Sequence, residues 1–188
     1  MPNPDYKKES LTTLVIRAQK NDIRAIEMLI RKEQKHIYTI FSHLTTEKDD
    51  IADLTQETLV KMTKNINSLK EPKNFRQWLN KIISNTFYDF TKKNHNQDIK
   101  LDENQLNDIR DKTNCEPGEK CVFSEIEVVV KSALMTLPKN LRLSIVLREY
   151  EGLSYEDISK ITNTTIGTVK SRISRARFKL KEVLADFL

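Results

Sequence analysis

Apolar residues recur every three or four positions along most of this chain, and that spacing selects helices over strands. Leu11, Leu14 and Val15 open the pattern, and Ile23, Ile26, Leu29 and Ile30 resume it. Asn21-Asp22 interrupts between the two runs, and Asp22 is suited to cap the second. Ile37, Ile40, Phe41 and Leu44 continue that second helix. A third segment runs from Asp50 to about Ile66 and carries Ile51, Leu54, Leu59 and Met62. After a break at Ser68 and Pro72 comes a wide stripe of Trp78, Leu79, Ile82, Ile83, Thr86, Phe87 and Phe90, which predicts a deeply buried helix face. Only 3 Gly and 5 Pro occur in 188 residues. Sandwiches and barrels need many tight turns made from those residues, so the expected fold class is all-α.

The pattern stops from His95 to Val122. This stretch is rich in Asn, Asp and Glu, is acidic on balance, and holds Pro117-Gly118. It reads as a flexible hydrophilic linker between two small helical domains, since so long a loop inside one domain is uncommon. The expected boundaries are 8–94, 95–122 and 123–188. Periodicity resumes at Ile126, Val129, Val130, Ala133, Leu134 and Leu137. Pro138 precedes a further helix with Leu141, Ile145, Val146 and Tyr150, and Gly152 supplies the left-handed residue that ends it. Ser154-Tyr155-Glu156-Asp157 fits a capping box for a short helix. Asn163-Thr164 makes a turn, and Thr165 caps a last helix in which Ile166, Val169, Ile173, Ala176 and Leu180 are expected to face inward.

Several function classes fall away. No run approaches the ~18 apolar residues of a spanning helix, and the N-terminal residues lack the apolar core of a secretory signal, so a cytoplasmic protein without membrane insertion is expected. Cys115 and Cys121 are the two cysteines, and no second pair completes a zinc site. They are read as free thiols, with a redox disulfide as the minor alternative. There is no metal-ligand cluster, no nucleophile–base pair at motif spacing and no phosphate-cradling glycine loop. No metal, no cofactor and no enzymatic activity are therefore expected. Lys+Arg number 32 against 27 Asp+Glu, a net charge of +5. That excess matters for an anionic partner only where it is clustered.

It is clustered near the C-terminus. From Gly152 to Leu184 the reading is short helix, turn, longer helix, which is the helix-turn-helix layout. Lys170, Arg172, Arg175, Arg177, Lys179 and Lys181 are basic, and no acid occurs from Thr168 to Lys181. A helix fits the major groove, arginine forks onto guanine and lysine meets phosphate. Lys170, Ser171, Ser174, Arg175 and Arg177 are the polar positions left after the apolar stripe is removed, with Thr168 and Arg172 beside them. Thr164 and Thr165 stand where hydroxyl and backbone hydrogens can meet phosphate. A basic helix can equally be a solvated face. The sequence Leu153-Ser154-Tyr155-Glu156-Asp157-Ile158, followed by Ile166-Gly167-Thr168-Val169-Lys170-Ser171-Arg172-Ile173-Ser174-Arg175-Ala176-Arg177, resembles region 4 of bacterial RNA polymerase sigma factors, above all the small extracytoplasmic-function (ECF) group. The resemblance spans about Ile126 to Leu184 and implies recognition of duplex −35 DNA.

The first half carries two further constellations. Asp50, Asp53 and Glu57 fall on one side of a helix whose start is acidic. Acids there are favoured by the helix dipole, and an acidic ridge for a basic protein partner is the other reading. From Lys70 to Asn94, aromatic and basic residues alternate, a mixture suited to single-stranded nucleic acid. Trp78, Phe87 and Phe90 also lie on the apolar stripe and so are candidates for core. Asn85 can both donate and accept to a base edge. These segments resemble sigma region 2 over Leu11 to about Asn94. The resemblance implies that Asp50, Asp53, Gln56 and Glu57 contact the β′ clamp helices of core RNA polymerase. It implies that Arg76, Trp78, Lys81, Asn85, Asp89, Lys92 and Lys93 lie along unpaired −10 DNA. It further implies docking of the C-terminal domain on the β flap and control by an anti-sigma factor. A helix-turn-helix regulator that never touches polymerase is the alternative.

Overall fold

Four of the described helices begin where a side chain replaces a missing backbone partner. In the computed structural model, which describes residues 9–93 and 120–185 (side chains from Ile126 in the second stretch), Ser10 Oγ accepts from the Thr13 amide and opens α1 (Leu11–Ala18). Asp22 accepts from the Arg24 and Ala25 amides and opens α2 (Ile23–Ser42). Asn21 makes the corner between them with φ 62°, a conformation asparagine tolerates better than most. α3 (Lys48–Asn65) follows, then two single 3-10 turns at Ile66–Ser68 and Pro72–Asn74, then α4 (Phe75–Lys93). Gln19, at the end of α1, donates to the Ile66 and Leu69 carbonyls at 3.0 and 2.6 Å and pins the irregular stretch to the first corner.

These four helices enclose one core. Leu14, Leu29, Ile37, Phe41, Met62, Phe75, Leu79, Ile83 and Phe87 are all fully buried. The expected stripe on α4 divides accordingly. Leu79, Ile83, Thr86 and Phe87 are buried, whereas Trp78, Ile82 and Phe90 are half-buried.

The second group is α5 (Lys120–Met135), α6 (Lys139–Glu149), α7 (Tyr155–Thr162) and α8 (Ile166–Ala185). Leu143, Val146, Leu147, Ile158, Val169, Ile173 and Ala176 fill its core. The Arg142 guanidinium donates to the Met135 and Leu137 carbonyls and so satisfies the exposed C-terminal end of α5. Gly152, with φ +64°, makes the left-handed residue after α6. No strand and no helix long and apolar enough to cross a membrane occurs among the described residues. Residues 95–119 of the expected linker, Cys115 included, lie outside the described residues, as does the Cys121 side chain.

The two groups meet along α4, which packs on α7 and α6. Gln77 of α4 hydrogen-bonds Asp157 of α7, and Asn80 of α4 donates to Glu151 at 2.9 Å.

Candidate nucleic-acid interface

The helix-turn-helix is built by three local devices. Ser154 Oγ accepts from the Asp157 amide at 3.0 Å and starts α7. Asn163 turns the chain with φ 51°. Thr165 Oγ1 accepts from the Thr168 amide at 3.1 Å and starts α8. Val169, Ile173 and Ala176 then lock α8 onto α6 and α7, which leaves Lys170, Ser171, Ser174 and Arg175 exposed together on the opposite side. The spacing of one, three and one puts these four on one strip of helix surface. Arg175 lies along the helix, its Nε 3.2 Å from the Ser171 carbonyl oxygen.

Four expectations for this helix are modified. Ile166 does not face inward, being 38% exposed at the first residue of α8. The Thr164 amide is already donated to the Ser159 carbonyl, so only its hydroxyl, itself 3.0 Å from that of Thr162, remains for a ligand. Arg177 is paired with Glu149 of α6 at 2.7 Å, and this acid holds its guanidinium still further above the usual range. Arg172 is half-buried and reaches the Tyr88 phenol on α4, off the strip formed by Lys170 and Arg175. Burial raises the Tyr88 hydroxyl, and Arg172 opposes that rise.

On α4, the spacing of Trp78, Lys81, Asn85, Asp89 and Lys92 lays them along one stripe, with Lys93 at its end. All but half-buried Trp78 are exposed. The Trp78 ring sits 5.9 Å from that of Phe75, so it belongs partly to the core, while its outer edge lines a groove of about 210 Å³ with Asn74, Gln77, Lys81, Lys160 and Ile161. Arg76 points elsewhere. Its guanidinium lies 2.9 Å from the carboxylate of Glu33 on α2. Asp89 is drawn toward α3 by Lys61, which also holds Glu57 at 2.8 Å and donates to Thr86.

At the start of α3, Asp53, Gln56 and Glu57 are exposed and Asp50 is half-buried. Partial burial and the neighbouring Glu47, Asp53 and Asp49 carboxylates raise Asp50 above its usual range. The ridge is thus a concentration of negative charge in which only Glu57 has a cation in contact among the described residues. No cluster of His, Cys, Asp and Glu fit for a metal occurs among the described residues.

Comparison with known proteins decides the family. The sigma-70 region 2 profile matches residues 29–97, and the sigma-70, region 4 profile matches residues 128–180. The chain is 34% identical to the ECF RNA polymerase sigma-E factor of Haemophilus influenzae over 90% of this chain and 93% of that one. The chain belongs to the ECF sigma factors of the sigma-70 family. Against the RNA polymerase sigma-H factor of Pseudomonas aeruginosa, this sigma factor is 31% identical over 93% of its length and 94% of the relative's. Among solved structures it resembles the sigma factor RpoE of Bartonella quintana, in a complex with the anti-sigma factor NepR, at a TM-score of 0.63 and 26% identity, covering 87% of this chain and 98% of that one. It shares its fold with CnrH, solved with the cytosolic domain of CnrY, at a TM-score of 0.67 and 21% identity over 95% and 99% of the two chains.

Sequence reasoning did not find Glu33, His36, Asn80 and Glu151, which gather where α2, α4 and the α6–α7 turn meet. A fully buried glutamate on a helix face otherwise lined by Leu29 and Ile37 is the one sequence signal that could have marked this place.

Proposed function

We propose that this sigma factor directs core RNA polymerase to promoters by reading DNA at two places with two helices. Duplex −35 DNA meets the α8 strip of Lys170, Ser171, Ser174 and Arg175, with Thr165 and Thr168 at its N-terminal end. The short serines let the helix approach base edges while the two cations take guanine or phosphate. Unpaired −10 DNA lies along the α4 stripe of Trp78, Lys81, Asn85 and Lys92. Asn85, exposed and free to donate and accept, is the residue placed to read a base. Capturing an extruded base offsets the few kcal/mol of unstacking. The acidic start of α3, with Asp53, Gln56 and Glu57 outermost, is the surface offered to the polymerase clamp. The protein works by recognition, not by a chemical step of its own, and acts in the cytoplasm where the polymerase is.

The observation that carries this reading is the order and exposure of two separate modules matched to regions 2 and 4 in one chain. A lone helix-turn-helix regulator has no use for the first. The solved relative bound to an anti-sigma factor supports a protein inhibitor for this chain as well. Binding to core polymerase tests the proposal. The parent co-elutes with core enzyme, and Asp53→Lys loses it while keeping its helical content. Retention of Asp53→Lys at parental affinity would remove the acidic ridge from the account.

A further inference from the structure

One large apolar side chain stands in the middle of the exposed strip of α8. Phe178 is 64% exposed, more than any other large apolar side chain from Ile126 to Ala185. It joins neither the core nor the half-buried residues packed on it. At about 100° per residue, it stands about 200° round the helix from buried Ala176. Ser171 and Ser174 share that direction, so Phe178 continues their strip one turn toward the C-terminus. Side chains on a helix lean toward its N-terminus, which brings the ring back toward Ser174.

The neighbours of the ring decide what it can meet. Within one turn on the same side stand Ser174, Arg175, Lys181 and Glu182, all exposed. None is apolar, so Phe178 is not part of a contiguous apolar patch of the kind that marks a protein contact. Exposed Lys179 adds a further cation beside it. Arg175 is folded the other way, its Nε 3.2 Å from the Ser171 carbonyl oxygen and its Nη2 3.4 Å from the Ser171 hydroxyl, so its guanidinium does not cover the ring. One apolar spot among cations and hydroxyls is complementary to the major groove. There phosphates flank polar base edges, and the apolar group is the C5 methyl of thymine. Glu182, one turn beyond, would meet phosphate with like charge and so bounds the contact.

We propose that Phe178 is a specificity-determining residue of the −35 contact, reading one thymine by packing on its C5 methyl. It takes this role only with α8 in the major groove, and so rests on that reading. Side-chain size divides the labour along the helix. Ser171 and Ser174 are short and let the backbone come close to base edges. One turn later, about 6 Å farther along, the long ring spans the wider gap that opens as a straight helix leaves the curved groove. Lys170 and Arg175 supply charge and hydrogen bonds. Phe178 adds selection for the base pair that alone carries a methyl.

Removal of single methyl groups from the DNA tests this. Promoter duplexes are first selected from a library with a randomised −35 segment by the holoenzyme of core polymerase and the full chain. In a selected duplex each −35 thymine is then replaced, one at a time, by deoxyuridine, which lacks only the methyl. With the parent, one such replacement lowers holoenzyme affinity about three- to fivefold, the effect of burying one methyl group. With Phe178→Ala, that pair of duplexes binds equally, and Phe178→Leu restores part of the difference. Both variants keep parental helical circular dichroism and parental affinity for core polymerase. Phe178→Ala that keeps the parent's methyl sensitivity, or that weakens all duplexes alike, overturns the proposal. Loss of core binding overturns it too, since Phe178 would then be a protein contact. Arg175→Ala separates these outcomes from failure of the groove reading. Altered −35 selection by Arg175→Ala, beside unaltered methyl sensitivity in Phe178→Ala, removes the role of Phe178 alone. A parent holoenzyme that selects no −35 sequence removes the groove contact of α8 altogether.

Discussion

Arg142 of α6 donates from Nη1 to the carbonyl oxygen of Leu44, 2.7 Å away and 98 positions earlier in the chain. The same guanidinium caps α5 through Met135 and Leu137, so one side chain closes a corner inside the second module and ties it to the end of α2. Replacing it with methionine keeps much of the apolar stem but leaves three carbonyls without this donor. Arg142→Met is expected to lower stability by about 2 kcal/mol, the scale of hydrogen bonds to a charged donor. Urea unfolding followed by circular dichroism reads this directly, and an unchanged midpoint would show that water replaces the guanidinium at no cost.

Gly152 separates backbone strain from crowding. Its φ is +64°, and a Cβ built there meets nothing within 4 Å. Gly152→Ala is therefore expected to cost about 1 kcal/mol through the left-handed backbone alone, and Gly152→Asn less. Equal losses for both variants would mean that the turn relaxes out of this conformation.

Stability should fall on the acid side of neutrality. Burial lowers the His43 imidazole, the Thr39 carbonyl hydrogen bond only partly opposing it. A folded value below the ordinary ~6.5 means that the unfolded chain binds the proton more readily. The stabilisation is complete above that ordinary value and is lost as pH falls through the lowered one. Glu151 acts in the same direction lower down. Burial pushes it up, but His36, Asn80 and Arg76 outweigh burial and hold it low. His43→Gln should flatten the decline in melting temperature between neutral and mildly acid pH, and parallel curves would discount His43.

The two cations of the α8 strip are expected to differ in kind. Lys170→Ala should weaken binding to all duplexes alike and reduce the salt slope by about one, as for a phosphate contact. Arg175→Ala should cost about 1–3 kcal/mol and relax choice at one base. Arg177→Ala should do less than either, since Glu149 already occupies that guanidinium. Fluorescence anisotropy across a salt series and a set of base substitutions distinguishes these outcomes. Identical profiles for all three variants and the parent would move the DNA contact off this helix.

What the sequence made legible was local. Apolar spacing, with the breaks between runs, placed the eight helices of the described residues, and the caps at Asp22, Ser154 and Thr165 stand where those residue types foretold them. Asn163 and Gly152 took the left-handed positions that their chemistry permits. The exposed strip around Lys170 and Arg175 followed from subtracting the apolar stripe. The meeting of the two helix groups was not legible. Asn80 lies 71 positions from Glu151, and neither belongs to a periodic pattern that would pair them. Arg177 and Arg172 looked like two more groove-facing cations because Glu149 and Tyr88, which meet them, sit on other helices. Ile166 was assigned inward by periodicity, yet it stands at the first residue of α8 and is exposed, whereas Val169, Ile173 and Ala176 farther along are buried.

The proposed role is that one chain reads two promoter segments for the polymerase. Transcription by purified core enzyme and the full chain, on a library with randomised −35 and −10 segments, puts that role to the test. Transcripts are expected to depend on the added chain and to select sequence at both segments, with Asn85→Ala blurring one −10 position and Arg175→Ala one −35 position. Transcription that ignores the added chain, or start sites that stay unchanged by it, would rule that role out.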